Sequence, residues 1–176
     1  WRSATWDATA AIARAQTYSV EVIRDEFGVP HIYGARDADV AFGLAYAQAE
    51  DDFETMQSLM PFYRGQMGRK LGIDGLPIDY LVQWLDVQAY VETHYETVLT
   101  PEIRAHLQAY ADGMNYYAAR HPFEADPKLF PMSGKDLAVG FSLQHLLFYG
   151  FESHIGELFA DSPQRELALA PDNALS

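Results

Sequence analysis

The sequence predicts a mainly α-helical chain with one short β-hairpin near its amino terminus. Val20 and Val22 alternate with polar residues, and the turn residues 25–28 separate this run from a second extended run, Val29–Tyr33. Much of the chain from 38 to 160 carries apolar residues at the three- and four-residue spacing of amphipathic helices. These two patterns together define the fold class.

Length and composition indicate an ordinary globular chain. The 176 residues are 49% hydrophobic and 14% aromatic, which excludes disordered and collagen-like classes. A chain of this length buries enough surface for one domain. We therefore predict a single domain over 1–176, made of an N-terminal arm (1–17), the hairpin (18–34), a helical region (38–160) and a C-terminal tail (161–176).

The first long helix is predicted from Ala38 to about Tyr63. This stretch has no proline before Pro61 and is rich in Ala, Leu, Gln, Glu and Met. Val40 and Leu44 share one helical face. A single continuous helix follows from this pattern.

A glycine-bearing segment follows at 64–72. It is predicted to be a basic loop, because closely spaced glycines interrupt the helical periodicity. The glycines match neither the Walker spacing nor the dinucleotide-binding spacing, which argues against a phosphate-binding loop. The next helix is predicted near Asp79, and Leu81, Trp84 and Gln88 continue along one face of it.

Two later helices have marked beginnings. Thr100 and Pro101 supply an N-cap and a first-turn proline, and an apolar stripe follows from 103 to 117. Ser133 and Asp136 have the spacing of a capping box. The helix that begins there carries the apolar residues Leu137, Phe141, Leu147, Phe148 and Phe151. The segment between these helices, 121–131, is proline-rich and is predicted to be a loop.

The charge balance excludes several classes of partner. Acidic residues outnumber basic ones by 25 to 12 and the net charge is −13, so the mean field repels phosphate backbones and no nucleic-acid partner is predicted. No apolar run approaches the roughly 20 residues needed to cross a bilayer. Trp1–Ala15 is interrupted by charges, unlike the apolar segment of a signal peptide. The expectation is a chain without a membrane span, from which any targeting segment has been removed.

The sequence contains no self-sufficient catalytic motif. Cysteine is absent, no G-x-S-x-G nucleophile elbow occurs, and no histidine lies in an H-E-x-x-H frame. The acidic run from Glu50 to Glu54 is interpreted as a solvated helix face, and His31 as a structural histidine that bonds a backbone group. The aromatic residues at 148–151 either line a pocket, with Gly150 leaving room for it, or pack in the core.

Four motifs, in this order along the chain, carry a resemblance to a known family. Arg24–Tyr33 matches R-D-x-x-G-x-P-H-I, and Ala41–Asp51 matches G-x-x-x-A-Q-x-x-D. Arg64–Gly72 is similar to a glycine-bearing segment, and Leu107–Asn115 to a Y-A-x-G-x-N helix. Together these motifs resemble the α chains of the penicillin acylase family, which are N-terminal-nucleophile hydrolases, and the likeness covers about Val20 to Leu158.

The resemblance implies that this chain is the α subunit of a heterodimer whose four-layer αββα core is completed by a longer β subunit. In the family, both chains come from one precursor that is exported to the periplasm and cut autocatalytically. The nucleophile is the first residue of the β chain, a serine whose own α-amine is the base. No catalytic residue is therefore expected in this chain. The implied activity is hydrolysis of N-acylated small molecules of the homoserine-lactone or penicillin type.

The last helix is implied to supply part of the acyl-binding wall. The matching positions are Leu147, Phe148, Gly150 and Phe151. The pocket arginine of one family branch falls at Gly150, so the implied wall is apolar and favours an aliphatic or aromatic acyl group. Glu157 matches a glutamate that binds a structural calcium ion in the penicillin G branch, and its alternative interpretation is an exposed helix carboxylate. No catalytic cofactor is expected.

Two other hypotheses stay open on the residues alone. The first is a stand-alone helical module that binds a hydrophobic ligand or partner through the 147–151 face. The second is a carboxylate enzyme that is complete in this chain. A binding module predicts a soluble monomer, whereas the acylase hypothesis predicts large apolar surfaces that need the β chain.

Overall fold

The computed structural model describes residues 5–149, which fold mainly as α-helices with one two-stranded sheet. The helices are α1 (Ala8–Ala15), α2 (Asp37–Ser58), α3 (Met60–Tyr63), α4 (Gly68–Leu71), α5 (Leu76–Leu85), α6 (Val87–Val98), α7 (Pro101–Arg120) and α8 (Gly134–Phe148). The strands are β1 (Val20–Arg24) and β2 (Pro30–Gly34). The prediction of a mainly helical chain with one β-hairpin is thus confirmed for this part of the chain. No helix in this part of the chain is long and apolar enough to cross a bilayer.

The chain divides into two compact units, Trp1–Leu143 and Gln144–Ser176. All strands and helices up to α7, and most of α8, belong to the first unit. The second unit is described only over 144–149. The single-domain prediction for 1–176 remains a prediction.

The hairpin packs on α2 through a glycine. β1 and β2 pair antiparallel, with Val22 opposite Ile32. The half-buried side chains of Val20, Val22 and Ile32 share one face of the hairpin. A Cβ atom at Gly43 would lie 2.6 Å from Cγ2 of Val20, so only glycine allows the strand to approach the helix this closely.

α2 contains a break at Asp52, where φ is −157° and ψ is 71°. The Asp52 carboxylate accepts a hydrogen bond from the Thr55 amide at 3.1 Å, so it caps the helical turns that follow. The chain then leaves α2 after Ser58 and begins α3 at Met60. The prediction of one continuous helix from 38 to 63 is therefore wrong, because an aspartate side chain competes with the helix for backbone N–H groups.

Short helical turns occupy the glycine-bearing segment. α4 and a 3-10 turn, Gly72–Gly75, lie where the sequence predicts a loop. The Asp79 carboxylate accepts hydrogen bonds from the amides of Met67 and Gly68 at 2.5 and 2.8 Å. These bonds satisfy backbone donors that the first turn of α4 leaves free. A side chain from the following helix therefore orders this segment, which local periodicity does not reveal.

The helix predicted near Asp79 ends earlier than its apolar face suggests. α5 begins at Leu76 and stops at Leu85, because Asp86 adopts a left-handed conformation with φ of 51°. α6 then starts in a new direction, so the face predicted from 81 to 88 is interrupted. Of the residues on that face, Leu81 is buried and Trp84 is 60% exposed.

The core of the first unit lies between α2 and α7. Its buried members are Ala45, Ala49, Phe53, Met60, Ala111, Met114, Tyr117, Ala118, Phe130 and Met132. The ring centroid of Phe53 lies 4.7 Å from that of Tyr117 and 5.8 Å from that of Phe130. Met114 and Tyr117 of the predicted α7 stripe are buried, whereas Ile103, at its start, is 45% exposed. The stripe is therefore core only in its C-terminal part.

α8 buries two apolar residues that the sequence analysis did not name. Val139 and Leu143 are 1% and 2% exposed. Of the residues named from the sequence, Leu137 packs against the core, whereas Phe141 is 64% exposed. A Cβ atom at Gly140 would lie 2.5 Å from the Tyr63 ring. The helix therefore lies close to Tyr63 at Gly140.

Candidate functional site

Arg24 joins the first two sequence motifs. Its guanidinium donates hydrogen bonds to the carbonyl oxygens of Gly28 and Ala47, at 2.8 and 3.1 Å. It also forms ion pairs with Glu50 at 3.2 Å and Asp51 at 2.9 Å. Part of the acidic face of α2 thus pairs with the hairpin instead of being wholly solvated. Both motifs serve to fix the hairpin on α2.

Asp25 organises the hairpin turn. Its carboxylate accepts hydrogen bonds from the amides of Phe27 and Val29, both at 2.9 Å. The Nε2 atom of His31 lies 3.2 Å from the same carboxylate. The Val29 amide, followed by His31, holds the pKa of Asp25 below its ordinary value. His31 therefore bonds a carboxylate within the turn, and not the backbone group that the sequence suggested.

Arg64, from the third motif, is buried instead of lying in an exposed basic loop. Its Nε and Nη2 atoms lie 2.9 and 3.1 Å from the carboxylate oxygens of Asp136, and both side chains are at most 5% exposed. The guanidinium also donates to the carbonyl oxygens of Leu129 and Pro131. Ser133 donates through its amide and hydroxyl to Asp136, and its hydroxyl oxygen accepts from the Asp136 amide. The predicted capping box is thus confirmed.

The fourth motif ties α7 to other segments of the chain. The Asp112 carboxylate accepts hydrogen bonds from Nε of Arg14 at 2.9 Å and from the Tyr18 hydroxyl at 2.6 Å. Burial, and then the bond to Asp112, raises the pKa of Tyr18. Asn115 exchanges two hydrogen bonds with the backbone of Met132, at 2.8 and 2.7 Å. The polar residues of this motif are structural.

A cavity of about 370 Å³ lies where the second and fourth motifs meet. Its lining consists of Gln48, Asp51, Asp52, Thr55, Met56, Leu59, Tyr63, Tyr110, Met114, Met132 and Leu137. The Tyr110 hydroxyl donates to Oε1 of Gln48 at 2.5 Å. Burial, with a smaller effect of Tyr63, raises the pKa of Tyr110 to about 12, so this hydroxyl stays protonated at neutral pH. The described lining contains no histidine, lysine or cysteine.

An apolar groove of about 400 Å³ runs between α6, α7 and α8. Its lining consists of Tyr90, Val91, His94, Tyr95, Val98, Leu99, Ile103, Leu107, Ala138, Phe141 and Ser142. The sequence analysis did not predict this groove, although the apolar residues of α6 indicate it. α6 carries apolar residues on two faces, because Val91 and Tyr95 are buried while Tyr90 and Val98 are 59% and 61% exposed.

The residues predicted to form the acyl-binding wall lie at the end of α8 and beyond it. Leu147 and Phe148 belong to the last turn of the helix. Phe148 is 84% exposed and Tyr149 is 80% exposed, and their ring planes make an angle of 88° with centroids 5.9 Å apart. The predicted residues Gly150, Phe151 and Glu157 lie outside the described residues. The structure therefore shows an exposed aromatic pair at the beginning of the predicted wall.

No group of three or more His, Asp or Glu side chains within residues 5–149 is arranged to hold a metal ion. His31 and Asp25 approach to 3.2 Å, and His106 and Asp37 to 3.7 Å. Each pair supplies two groups, fewer than a protein metal site normally uses. The calcium hypothesis depends on Glu157 and stays a prediction.

The fold is shared with a solved acylase chain. One chain of a thermostable penicillin G acylase from Alcaligenes faecalis superposes with a TM-score of 0.64 and 20% sequence identity. The superposition covers 87% of this chain and 98% of that chain. The mainly helical fold with a hairpin is therefore that of a chain within an acylase.

This chain belongs to the penicillin amidase family, whose model matches residues 19–171. Penicillin G acylase from Escherichia coli is 30% identical over 131 residues, which are 70% of this chain and 15% of that protein. Acyl-homoserine lactone acylase PvdQ from Pseudomonas fluorescens is 26% identical over 126 residues, which are 67% of this chain and 16% of that protein. The family expected from the four motifs is confirmed, and the chain spans only a small share of the length of these relatives.

Proposed function

We propose that this chain is the α subunit of a heterodimeric N-acyl amide hydrolase. A contrast in coverage carries the proposal: the chain spans 98% of one chain of a solved penicillin G acylase but 15% of the penicillin G acylase of Escherichia coli. A small subunit beside a larger one accounts for both values. In this proposal the β subunit, made from the same precursor, supplies the nucleophilic serine, its α-amine base and the oxyanion donors.

The exposed apolar surface supports the presence of a partner chain. The groove side chains Tyr90, Val98 and Phe141 are between 59% and 64% exposed, and Phe27 at the hairpin turn is 83% exposed. Burying apolar surface is favourable by roughly 25 cal/mol per Å², and large exposed patches commonly mark interfaces. We assign the groove between α6, α7 and α8 to the surface that the β subunit covers.

In the proposed enzyme, the end of α8 forms part of the wall around the acyl group. The residues assigned to this wall are Leu147, Phe148, Gly150 and Phe151. The 84% exposure of Phe148 leaves its ring available to a pocket completed by the β subunit. No Lys or Arg occurs between Asp136 and Arg165. A negatively charged acyl group would therefore lose its hydration without gaining a cation from this segment. Aliphatic or aromatic acyl groups, as in acyl-homoserine lactones or penicillins, are the proposed substrates.

Glu157 is the proposed ligand of a structural calcium ion. Carboxylate oxygens are the ligands that calcium prefers, and the remaining ligands would come from the β subunit. The ion would stabilise the assembly and take no part in the chemistry. A chelator should then lower the melting temperature of the wild-type enzyme and leave that of Glu157→Gln unchanged. Equal responses of the two proteins would contradict the assignment.

The experiment that tests the subunit proposal starts from the complete gene. The protein is purified from the periplasmic fraction, separated under denaturing conditions, and the amino terminus of each band is sequenced. The expected result is a smaller band that contains this sequence, with a mass of at least 19.8 kDa, beside a larger band that begins with serine. The purified material should hydrolyse N-acyl substrates. A single chain that binds a hydrophobic ligand without a partner would overturn the proposal in favour of a helical binding module.

A matched pair of variants tests the acyl wall. Phe148→Ala should change the preference among acyl chains of different length, because it removes a ring from the proposed wall. Phe123→Ala is the control, since Phe123 is a fully exposed phenylalanine in the loop after α7. The ratio of kcat/KM values for short and long acyl substrates is the measurement. If the ratio of kcat/KM values is the same in Phe148→Ala and Phe123→Ala, Phe148 does not contact the acyl group.

A further inference from the structure

Three cations surround one open cavity on the first unit. Arg69 and Lys70 come from α4, and Lys128 comes from the loop between α7 and α8. The cavity has a volume of about 740 Å³, larger than the cavity between α2 and α7 described above. All three side chains belong to exposed residues, so the cations are accessible to solvent.

These three cations differ from most others in the chain. Within residues 5–149 there are ten Lys and Arg residues, and six of them form an ion pair with a carboxylate. The paired ones are Arg14, Arg24, Arg36, Arg64, Arg104 and Lys135. In the described part of the chain the ion pairs do not include Arg69, Lys70, Lys128 or Arg120. Three of these four line the same cavity, in a protein that has 25 acidic residues.

The walls of the cavity are held in place by hydrogen bonds. Gln57 of α2 donates to the carbonyl oxygen of Glu124 at 2.9 Å and accepts from the amide of Asp126 at 3.0 Å. The Asp126 carboxylate in turn accepts from the Lys128 amide at 3.0 Å. The loop that carries Lys128 is thus fixed to α2. A preformed wall lowers the ordering cost of binding a ligand.

Two carboxylates, Glu54 and Asp126, also line the cavity. One oxygen of Asp126 is already engaged by the Lys128 amide. Neither carboxylate lies within ion-pair distance of the three cations among the described residues. The lining thus carries three cations against two carboxylates, so its net charge is positive, and Glu54 and Asp126 both weaken the attraction of the cavity for an anion.

We propose that this cavity binds a small organic anion that carries two or more carboxylate or phosphate groups. The volume is within the range of small-molecule sites, so it suits a metabolite-sized molecule better than a single halide. Arg69 offers a planar fork of donors, while Lys70 and Lys128 offer point charges. The cavity shares no residue with the acyl wall assigned above, and the proposal does not depend on the acylase proposal.

The test uses the protein purified from its complete gene and isothermal titration calorimetry with citrate and with pyrophosphate. Both probes should bind, and binding should weaken between low salt and about 0.15 M salt, where the Debye length is about 8 Å. The Lys70→Gln/Lys128→Gln variant should bind at least about tenfold more weakly. Preference for citrate over pyrophosphate identifies a polycarboxylate ligand, and the reverse identifies a phosphorylated one.

Two single variants separate the site from a general charge effect. Arg120→Gln removes an exposed cation that does not line the cavity and should leave the affinity unchanged. Glu54→Gln removes the opposing carboxylate and should tighten binding several-fold, a gain that loss of structure does not produce. Binding that falls equally in Arg120→Gln, or that is insensitive to Lys70 and Lys128, overturns the proposal. Failure of the wild-type protein to bind either citrate or pyrophosphate also overturns the proposal. If the Lys70→Gln/Lys128→Gln variant then also fails to retain the proposed β subunit, the cations bind an acidic segment of that subunit instead.

Discussion

Arg24 and Asp51 form an ion pair of 2.9 Å that links the hairpin to α2. The two residues belong to separate sequence motifs, and Arg24 alone also bonds the carbonyl oxygens of Gly28 and Ala47. The arginine therefore makes more contacts than either acidic partner. Its position explains why the two motifs occur together in one sequence.

This asymmetry predicts unequal effects of substitution at the junction. Arg24→Gln should lower the melting temperature more than Asp51→Asn, because Glu50 still pairs with the arginine in the second variant. The double variant should melt close to Arg24→Gln alone, since both changes remove the same ion pair. Thermal unfolding of the purified protein measures all three. Additive shifts would mean that Asp51 stabilises the fold through another contact.

Loss of the buried Arg64–Asp136 ion pair should destabilise the fold more than loss of the partly solvated Lys135–Glu92 ion pair. Asp136→Ala leaves a guanidinium that is 5% exposed without its carboxylate, and removing one partner of a buried pair costs about 3–5 kcal/mol. Lys135→Ala is the control, because its pair with Glu92 is partly solvated and such pairs contribute about 1 kcal/mol or less. Urea unfolding gives both free energies. Similar values for the two variants would show that Arg64 finds another partner.

Gly43 should not tolerate a methyl group. A Cβ atom there would lie 2.6 Å from Val20 and 2.8 Å from Ile32, and overpacking of this kind costs about 1–3 kcal/mol. Shortening the opposing side chain should relieve the clash, so Gly43→Ala combined with Val20→Ala should be more stable than the sum of the single changes predicts. A double-mutant cycle by urea unfolding is the measurement. If the free-energy changes of the two single variants simply add in the double variant, Val20 does not contact a side chain at position 43.

Asp39 should make the fold sensitive to acid. Hydrogen bonds from the Arg36 side chain, opposed in part by burial, lower the pKa of Asp39 to about 2. A lowered pKa adds stability above the ordinary value near 4, and this stability is lost as the pH falls from about 4 towards 2. In Asp39→Asn the melting temperature should therefore be lower at neutral pH and fall less steeply over that interval. Parallel curves would show that other carboxylates govern acid unfolding.

Local signals in the sequence predicted the parts of the fold that depend on local chemistry. Thr100 accepts the hydrogen bond of an N-cap from Ile103, and Ser133 forms the predicted capping box, because caps are made by residues three positions apart. The hairpin follows in the same way from alternation and a turn. These features need no knowledge of the rest of the molecule.

Features that depend on distant residues were not predictable in this way. The burial of α8 depends on such residues, because Tyr63, far away in sequence, packs against Gly140 of this helix. The helix break at Asp52 and the left-handed conformation of Asp86 are backbone conformations that helical periodicity alone does not reveal. The α6 to α8 groove appears only once three helices are assembled. Of the candidate site, the sequence placed Phe148 on α8, while its exposure required the structure.

The attachment of Arg14 and Tyr18 to Asp112 has a practical consequence for handling this protein. An affinity tag joined ahead of Thr5 leaves both donors in place. A chain shortened to begin at Ser19 would lack them, and among residues 5–149 the Asp112 carboxylate would keep only the Gln108 side chain as a side-chain donor, at 2.8 Å. The segment that contains α1 therefore helps to hold α7 in place. An expressed form of the protein should retain α1 even though none of its own residues is buried.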